Sequence, residues 1–397
     1  MMRHVYYVIL ALTTMFMFAS CSKTKVVNTN INLNRAQETL DSLYKYYGVD
    51  HSPLLRETYP FEGNFKATYL VSEEQANTPN QYSYLWPYSG TFSAVNALYE
   101  ATNDEQYKTL LEGRVLKGLE EYYDCKRTPC GYTSYIMSAP SSDRFYDDNV
   151  WIGIDFTDLY MQTGEKTYLE KAKIVWQFIL SGTDDKLGGG IYWCEQKREG
   201  KNTCSNAPGA VYALKLFEAT RDSTYFKSGK ALYEWTQKHL QDTTDCLYYD
   251  NIKPDGRIGK AKYAYNSGQM MQAAALLYKH TGDNVYLTEA QHIAKACHDF
   301  FFNSFTAPNG DTFRLLRKGD IWFTAVMLRG FIELYYLDNN AIYLNEFRKN
   351  LDYAWIHSRN DQGLFNVDWS GETPDHKKWL LTQVAMVEMY ARMAQIN

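Results

Sequence analysis

One pattern recurs five times along the chain and decides what it can fold into. Tyr107, Tyr168, Tyr225, Tyr286 and Tyr343 each follow an aromatic residue by eight positions: Tyr99, Tyr160, Phe217, Tyr278 and Tyr335. Five positions before each tyrosine stands Thr102, Thr163, Thr220, Thr281 or Asp338. A turn-forming pair follows: Asn103-Asp104, Gly164-Glu165, Arg221-Asp222, Gly282-Asp283 and Asn339-Asn340. The pattern reads as helix, tight turn, helix. Gly or Asn just past a helix can take the left-handed conformation that ends it. Asp or Glu in the turn suits the positive start of the next helix. Apolar residues recur at three- and four-residue steps, as in Leu169, Ala172, Val175, Trp176 and Ile179, which is the helical period.

The repeat is ~59 residues long, longer than the two-helix units of common solenoids. Five copies fill the chain from about Ala94 to the end, and Asn34 to Tyr47 can supply a further helix that closes the set at six hairpins. This predicts an all-α fold, a closed six-hairpin α/α toroid with an inner ring, an outer ring and a funnel at one end. An open superhelix is the alternative. Six stretches break the pattern, about once per repeat: Tyr59 to Gly90, Cys125 to Asp143, Gly188 to Asn206, Asp245 to Tyr265, Ala307 to Asp320 and Asp361 to Lys377. They are rich in Gly, Pro, Asn and aromatics and are expected to line the funnel, since loops on a rigid scaffold are where function concentrates. With 34 Tyr, 9 Trp and 19 Phe, the chain has rings enough both to pack helices and to offer sugars a flat apolar face with a polar tip.

The run Tyr146-Asp147-Asp148-Asn149-Val150-Trp151 places two adjacent carboxylates at the start of an apolar helix. Such a pair can be helix capping alone, and Asp184-Asp185 reads as a surface turn. It can also divide labour. A carboxylate in a polar, hydrogen-bonded place stays ionised, while its neighbour, pressed by a like charge and an aromatic wall, keeps its proton. Retaining glycosidases need such a pair, one nucleophile and one acid/base, about 5 Å apart.

In order along the chain, YDDNVW (146–151), GGGIYW (188–193), KNTCSNAP (201–208) and AYNSGQMMQAAALLYKHTGD (264–283) resemble glycoside hydrolase family 76, over roughly Tyr82 to Tyr390. The resemblance implies a six-hairpin toroid and a retaining α-1,6-mannanase acting on α-mannan or manno-oligosaccharides, with Asp147 as nucleophile and Asp148 as acid/base. Endo action is the expectation taken, although no spacing separates it from exo action. The implied sugar-binding positions are Trp193, Asn202 and Asn206 in the third long loop and Tyr265, Asn266 and Gln269 in the fourth, with Trp322 closing the funnel. Asn and Gln amides donate to and accept from hydroxyls at once, although Asn206 and Asn266 could equally cap helices. Two rivals stay open. Another toroidal carbohydrate enzyme would need a basic or His-rich funnel, which these loops lack. A non-catalytic glycan-binding protein would keep the rings and lose nothing on Asp147→Asn.

The start of the chain reads as a leader. Arg3 and His4 precede an apolar run, Val5 to Phe18, and then Ala19-Ser20-Cys21. Small residues before a Cys resemble a bacterial lipobox, with Phe18 where Leu is usual. The run is shorter than the ~20 residues of a spanning helix. The expected division is a signal peptide over 1–20, a lipidated Cys21 and tether over 21–34, and a catalytic toroid over 35–397. A monomeric lipoprotein of the outer membrane, facing the periplasm, is expected. Six cysteines remain, and Cys125–Cys130 and Cys194–Cys204 are near enough to pair, although six allow 15 pairings. A bridge at the second pair would stiffen a substrate loop.

No cofactor or metal is expected. The 8 His are scattered, Gly188-Gly189-Gly190 lacks the Lys-Ser/Thr of a phosphate loop, and no Gly-x-Ser-x-Gly elbow occurs. The net charge is −5 with basic residues unclustered, so no nucleic-acid partner is expected.

Overall fold

Each sequence repeat is one helical hairpin. The computed structural model describes residues 30–396, apart from 64, 66, 68, 69, 73–75, 77 and 78. In chain order the helices are α1 (Ile31–Tyr47), α2 (Leu85–Thr102), α3 (Glu105–Leu110, a π-helical turn Leu111–Val115, then Leu116–Glu120), α4 (Tyr146–Thr163), α5 (Lys166–Ser181) and α6 (Thr203–Thr220). They continue as α7 (Ser223–Leu240), α8 (Ala264–Thr281), α9 (Asn284–Phe301), α10 (Ile321–Asp338), α11 (Ile342–His357) and α12 (Leu380–Met393).

The turns form as the sequence predicts. Asn103, Gly164, Arg221, Gly282 and Asn339 take left-handed backbone, and their N–H groups bond the carbonyls of Tyr99, Tyr160, Phe217, Tyr278 and Tyr335. Threonines bridge four of the five turns. Thr102 Oγ1 donates to the Leu98 carbonyl at 2.7 Å and accepts from the Asp104 N–H at 3.1 Å, and Thr163, Thr220 and Thr281 repeat this. Asp104, Asp222 and Asp283 then cap the outer helix through their side chains. The repeat tyrosines pack in two ways. Tyr168 and Tyr343 lie against Phe156 and Phe331 of their own inner helices, whereas Tyr225 and Tyr286 reach Trp176 and Tyr233 on the preceding outer helix.

The even-numbered helices form the inner ring and are buried nearly all round, as a helix enclosed by others must be. Each touches the next, and α12 touches both α10 and α2, so the ring is closed and the open superhelix is excluded. Backbones meet where glycine allows it. A Cβ on Gly268 of α8 would lie 2.4 Å from the Met327 Cα of α10. The first helix, α1, is the outer partner of the last, α12. It begins at Ile31, earlier than the expected boundary at residue 35, because the Asn30 side chain accepts from the N–H groups of Asn32 and Leu33 and fixes the cap there. The expected signal peptide, Cys21 and the first part of the tether lie outside the described residues.

All six inner helices start at the same end of the toroid, where the long loops run. Short antiparallel pairs stiffen these loops: β1 (Thr58–Tyr59) with β9 (Lys378–Trp379), β2 (Tyr123–Asp124) with β3 (Gly131–Tyr132), and β4 (Lys201–Asn202) with β5 (Tyr249–Ile252) and β6 (Ile258–Lys262). A hairpin of β7 (Phe302–Thr306) and β8 (Thr312–Leu316) packs on α11. Cys125 and Cys130 form a disulfide. Cys194 and Cys204, which the sequence left free to pair, do not. Both are buried free thiols, with Cys194 directed to Gln196 and Cys204 set beside Asp147 and Tyr265.

Candidate active site

The second and third residues of α4 are Asp147 and Asp148, and the chain entering that helix is stitched to the third long loop. The Tyr146 N–H donates to the Trp193 carbonyl at 2.9 Å and the Glu195 N–H to the Arg144 carbonyl at 3.0 Å, with Phe145 bridged to Cys194. Arg144, fully buried, clamps Glu195 through two charge-assisted bonds, one of 2.7 Å from Nε. Phe145, the cap residue, offers no side-chain acceptor. The first turn of α4 therefore turns its open N–H groups and its positive dipole end toward the two carboxylates.

Their surroundings differ. Asp147 is half-buried, and its Oδ2 accepts from the Trp193 indole Nε1 at 3.1 Å. The Cys204 thiol lies beside it, and burial, opposed by these polar neighbours, leaves the carboxyl raised to about 6. Asp148 is 7% exposed. Burial first, and then the charge of Asp147, push its carboxyl well above the usual range. Of the two, Asp148 is held more strongly toward its protonated form. Two further carboxyls at this end of the barrel are raised by burial, Asp250 on β5 and Asp320, whose Oδ1 caps α10 by accepting from the Trp322 N–H at 2.9 Å.

Across from the pair runs a wall of rings. Tyr265 stacks on Phe323 at 4.0 Å and 7°. Phe323 faces Trp86 at 6.1 Å and 20°, and Trp86 meets Trp379 edge-on at 5.4 Å. Glu57 fixes the Trp379 indole by accepting its N–H at 2.6 Å. These rings are half-buried, as a surface for stacking must be.

The structure brings Asp147, Asp148, Trp193 and Tyr265 together and leaves Asn202, half-buried, as the cap residue of α6. Asn266 and Gln269 are buried in the first two turns of α8; both amide atoms of Asn266 and the Gln269 Oε1 have no protein partner. Two expectations are corrected. Asn206 does not face a sugar. It is fully buried, its Oδ1 accepts from the Ile191 N–H at 2.6 Å, and its Nδ2 donates to the carbonyls of Ile191 and Asn202, which uses both its donors. Trp322 does not close the funnel mouth. It is fully buried, edge-on to Trp151 at 6.2 Å with the Arg329 guanidinium over it at 5.3 Å, and its neighbour Phe323 presents the ring instead.

Trp86, Phe323, Trp379 and Cys204 escaped sequence reasoning, yet part of the signal is there. Twenty-one positions before the repeat tyrosines stand Trp86, Asp147, Cys204, Tyr265 and Trp322, the second residue of five successive inner helices. Two positions later stand Asn149, Asn206 and Ser267, each holding the preceding loop by its backbone, as Gln383 does in α12.

The comparisons with known proteins agree with this geometry. The Glycosyl hydrolase family 76 profile matches residues 32–396. A family 76 glycoside hydrolase (mannosidase) of Bacteroides thetaiotaomicron is 35% identical and superposes with a TM-score of 0.83, covering 92% of this chain and 98% of that one. The family 76 α-1,6-mannanase of a Salegentibacter species is 25% identical with a TM-score of 0.69, covering 91% and 98%. A mannan endo-1,6-α-mannosidase of Saccharomyces cerevisiae is 26% identical over 184 residues, 42% of this chain and 41% of that protein. The chain spans about half the length, or less, of the curated relatives it matches.

Proposed function

The chain belongs to glycosyl hydrolase family 76, and from that premise we propose that it hydrolyses α-1,6-mannosidic linkages in mannan, endo-acting and with retention of configuration. The observation that carries this reading is the inequality of Asp147 and Asp148: neighbours on one helix, one hydrogen-bonded and ionised, the other protonated. Asp147 attacks the anomeric carbon while Asp148 gives its proton to the departing glycosidic oxygen, forming a covalent mannosyl-enzyme. Asp148, now a carboxylate, takes a proton from water, which displaces Asp147 and restores the starting state. The ring wall from Tyr265 to Trp379 supports the reading by offering stacking faces to successive sugars. Cys21, after small residues, supports a lipid-anchored envelope form, and the non-acidic run Ser22-Lys23-Thr24-Lys25 after it supports a periplasmic face. Labelling with a radioactive fatty acid should mark the parent and not Cys21→Ala; equal labelling sinks the anchor.

The test is hydrolysis of linear α-1,6-mannan by protein lacking residues 1–21, beside Asp147→Asn and Asp148→Asn. Each variant should lose about 10³-fold or more in kcat, and short mannosides of several lengths should appear early. Mannose alone as the first product would overturn endo action. Folded parent protein that releases nothing would overturn the activity and leave glycan binding.

A further inference from the structure

Asp147 is held by groups that the two-carboxylate scheme does not use. The Trp193 ring is fixed from three sides. Its indole N–H donates to Asp147 Oδ2 at 3.1 Å, its face packs on Phe145 at 4.8 Å, and its backbone carbonyl accepts from Tyr146, the residue before Asp147. An indole clamped in this way is a fixed donor. From the other side comes Cys204, 3% exposed, at the same position of α6 that Asp147 holds in α4. Its thiol lies beside the Asp147 carboxylate, whose buried Oδ1 has no protein hydrogen bond of its own, and the Tyr265 side chain, from the same position of α8, lies beside the sulfur. Asp148 has no such partner.

We propose that Trp193 and Cys204 are positioning residues for Asp147, two neutral donors that orient its carboxylate and make it, rather than Asp148, the ionised member of the pair, with Tyr265 backing the thiol. The proposal rests on the two-carboxylate reading above. It gives Trp193 a role other than a stacking platform. A neutral donor favours the charged form of a carboxylate without adding a charge that would also hold Asp148 ionised. The other titratable groups around Asp147 are Asp148 on its own helix, Cys204 and Tyr265 on α6 and α8, Cys194 on the third loop, and Asp250 of β5 behind Cys204. Among the described residues none of these groups is a cation, so the two side chains and the open N–H groups of the first turn of α4 are what oppose the burial of Asp147.

The experiment reads Asp147 directly and without substrate. The infrared C=O band of protonated carboxyls, taken as the difference between the parent and Asp147→Asn, gives the titration midpoint. Trp193→Phe keeps a ring and deletes the donor; Cys204→Ala deletes the thiol; Cys204→Ser keeps a donor. Each deletion should raise the midpoint by roughly half to one pH unit, so that the ionised fraction below the midpoint falls about three- to tenfold, and Cys204→Ser should return toward the parent. An unchanged midpoint in both deletion variants overturns the proposal, as does a serine variant that behaves like alanine. In mannan hydrolysis the acidic limb of kcat/KM should move up with the midpoint while KM changes less than about threefold; a raised KM with the limb unmoved makes Trp193 a sugar platform and overturns its assigned role. Because the titration needs no turnover, a failure of the mannanase reading and a failure of this one are distinguishable.

Discussion

At the residue scale the pair is governed by its surroundings and not by its sequence. Asp147 and Asp148 share a helix turn, but only Asp147 has donors. The rate should therefore fall on the acid side as Asp147 takes up a proton near pH 6, and on the alkaline side as Asp148, held much higher, loses its own. The two roles separate with an aryl mannoside whose leaving group needs no proton. Asp148→Ala should recover turnover on it by about 10²-fold or more relative to mannan, and Asp147→Ala should not. Equal recovery in both variants would reverse or abolish the assignment. Adjacent carboxylates at a helix start were visible in the sequence. Which one has the donors was not, because Trp193 and Cys204 approach from a loop and from another helix.

Among elements, the recurrent device is an amide or hydroxyl four residues into an inner helix that holds the loop before it. Asn149 holds Tyr132, Asn206 holds Ile191, Ser267 holds Tyr248 and Gln383 holds Phe365. Asn206→Ala would leave the buried Ile191 N–H and carbonyl unpaired. It should cost about 1–3 kcal/mol in urea unfolding, and it should lower activity because Trp193 stands two residues away; full stability would show that the loop finds other partners. The hairpin turns were legible in the sequence because their signals are local: a left-handed Asn or Gly, a bridging Thr, a capping Asp. The role of Asn206 was not, since an amide at a helix start looks the same whether it meets a sugar or a backbone. Whether Cys194 pairs with Cys204 was open in the sequence for a similar reason. Closeness along the chain carries no information about the turn of α6 that sets Cys204 beside Asp147.

For the molecule as a whole, closure of the ring was readable from the number of hairpins, but the layer that shuts its axis was not. Beneath the funnel, Glu388 of α12 accepts from Arg329 of α10 at 2.7 and 2.9 Å and from Arg392 at 2.6 Å. The Arg329 guanidinium lies over Trp151 and Trp322. On its far side Arg329 lines a cavity of about 820 Å³ at the opposite end of the barrel, with Asp158, Lys215 and Glu218. The axis is therefore blocked, and a polymer cannot thread the ring. The two arginines hold the Glu388 carboxyl down at about 2. A depressed carboxyl stabilises the fold above its unfolded value of 4.5 and loses that contribution as pH falls through about 2. Removing it, as in Glu388→Ala, strands Arg329 and should cost about 3–5 kcal/mol at pH 7 by denaturant unfolding, with the difference narrowing in acid. A cost below about 1 kcal/mol would mean that Arg329 finds another counter-charge.

The amides that hold the loops sit at the seams between loop and helix, never at the tips. Beyond the seams, the exposed β5–β6 tip at 253–257 carries little of the fold. Such tips are interchangeable parts: a tip cut between seams and replaced by one of another length would leave the barrel standing, so the breadth of glycans admitted to the funnel can be redesigned without renegotiating the scaffold.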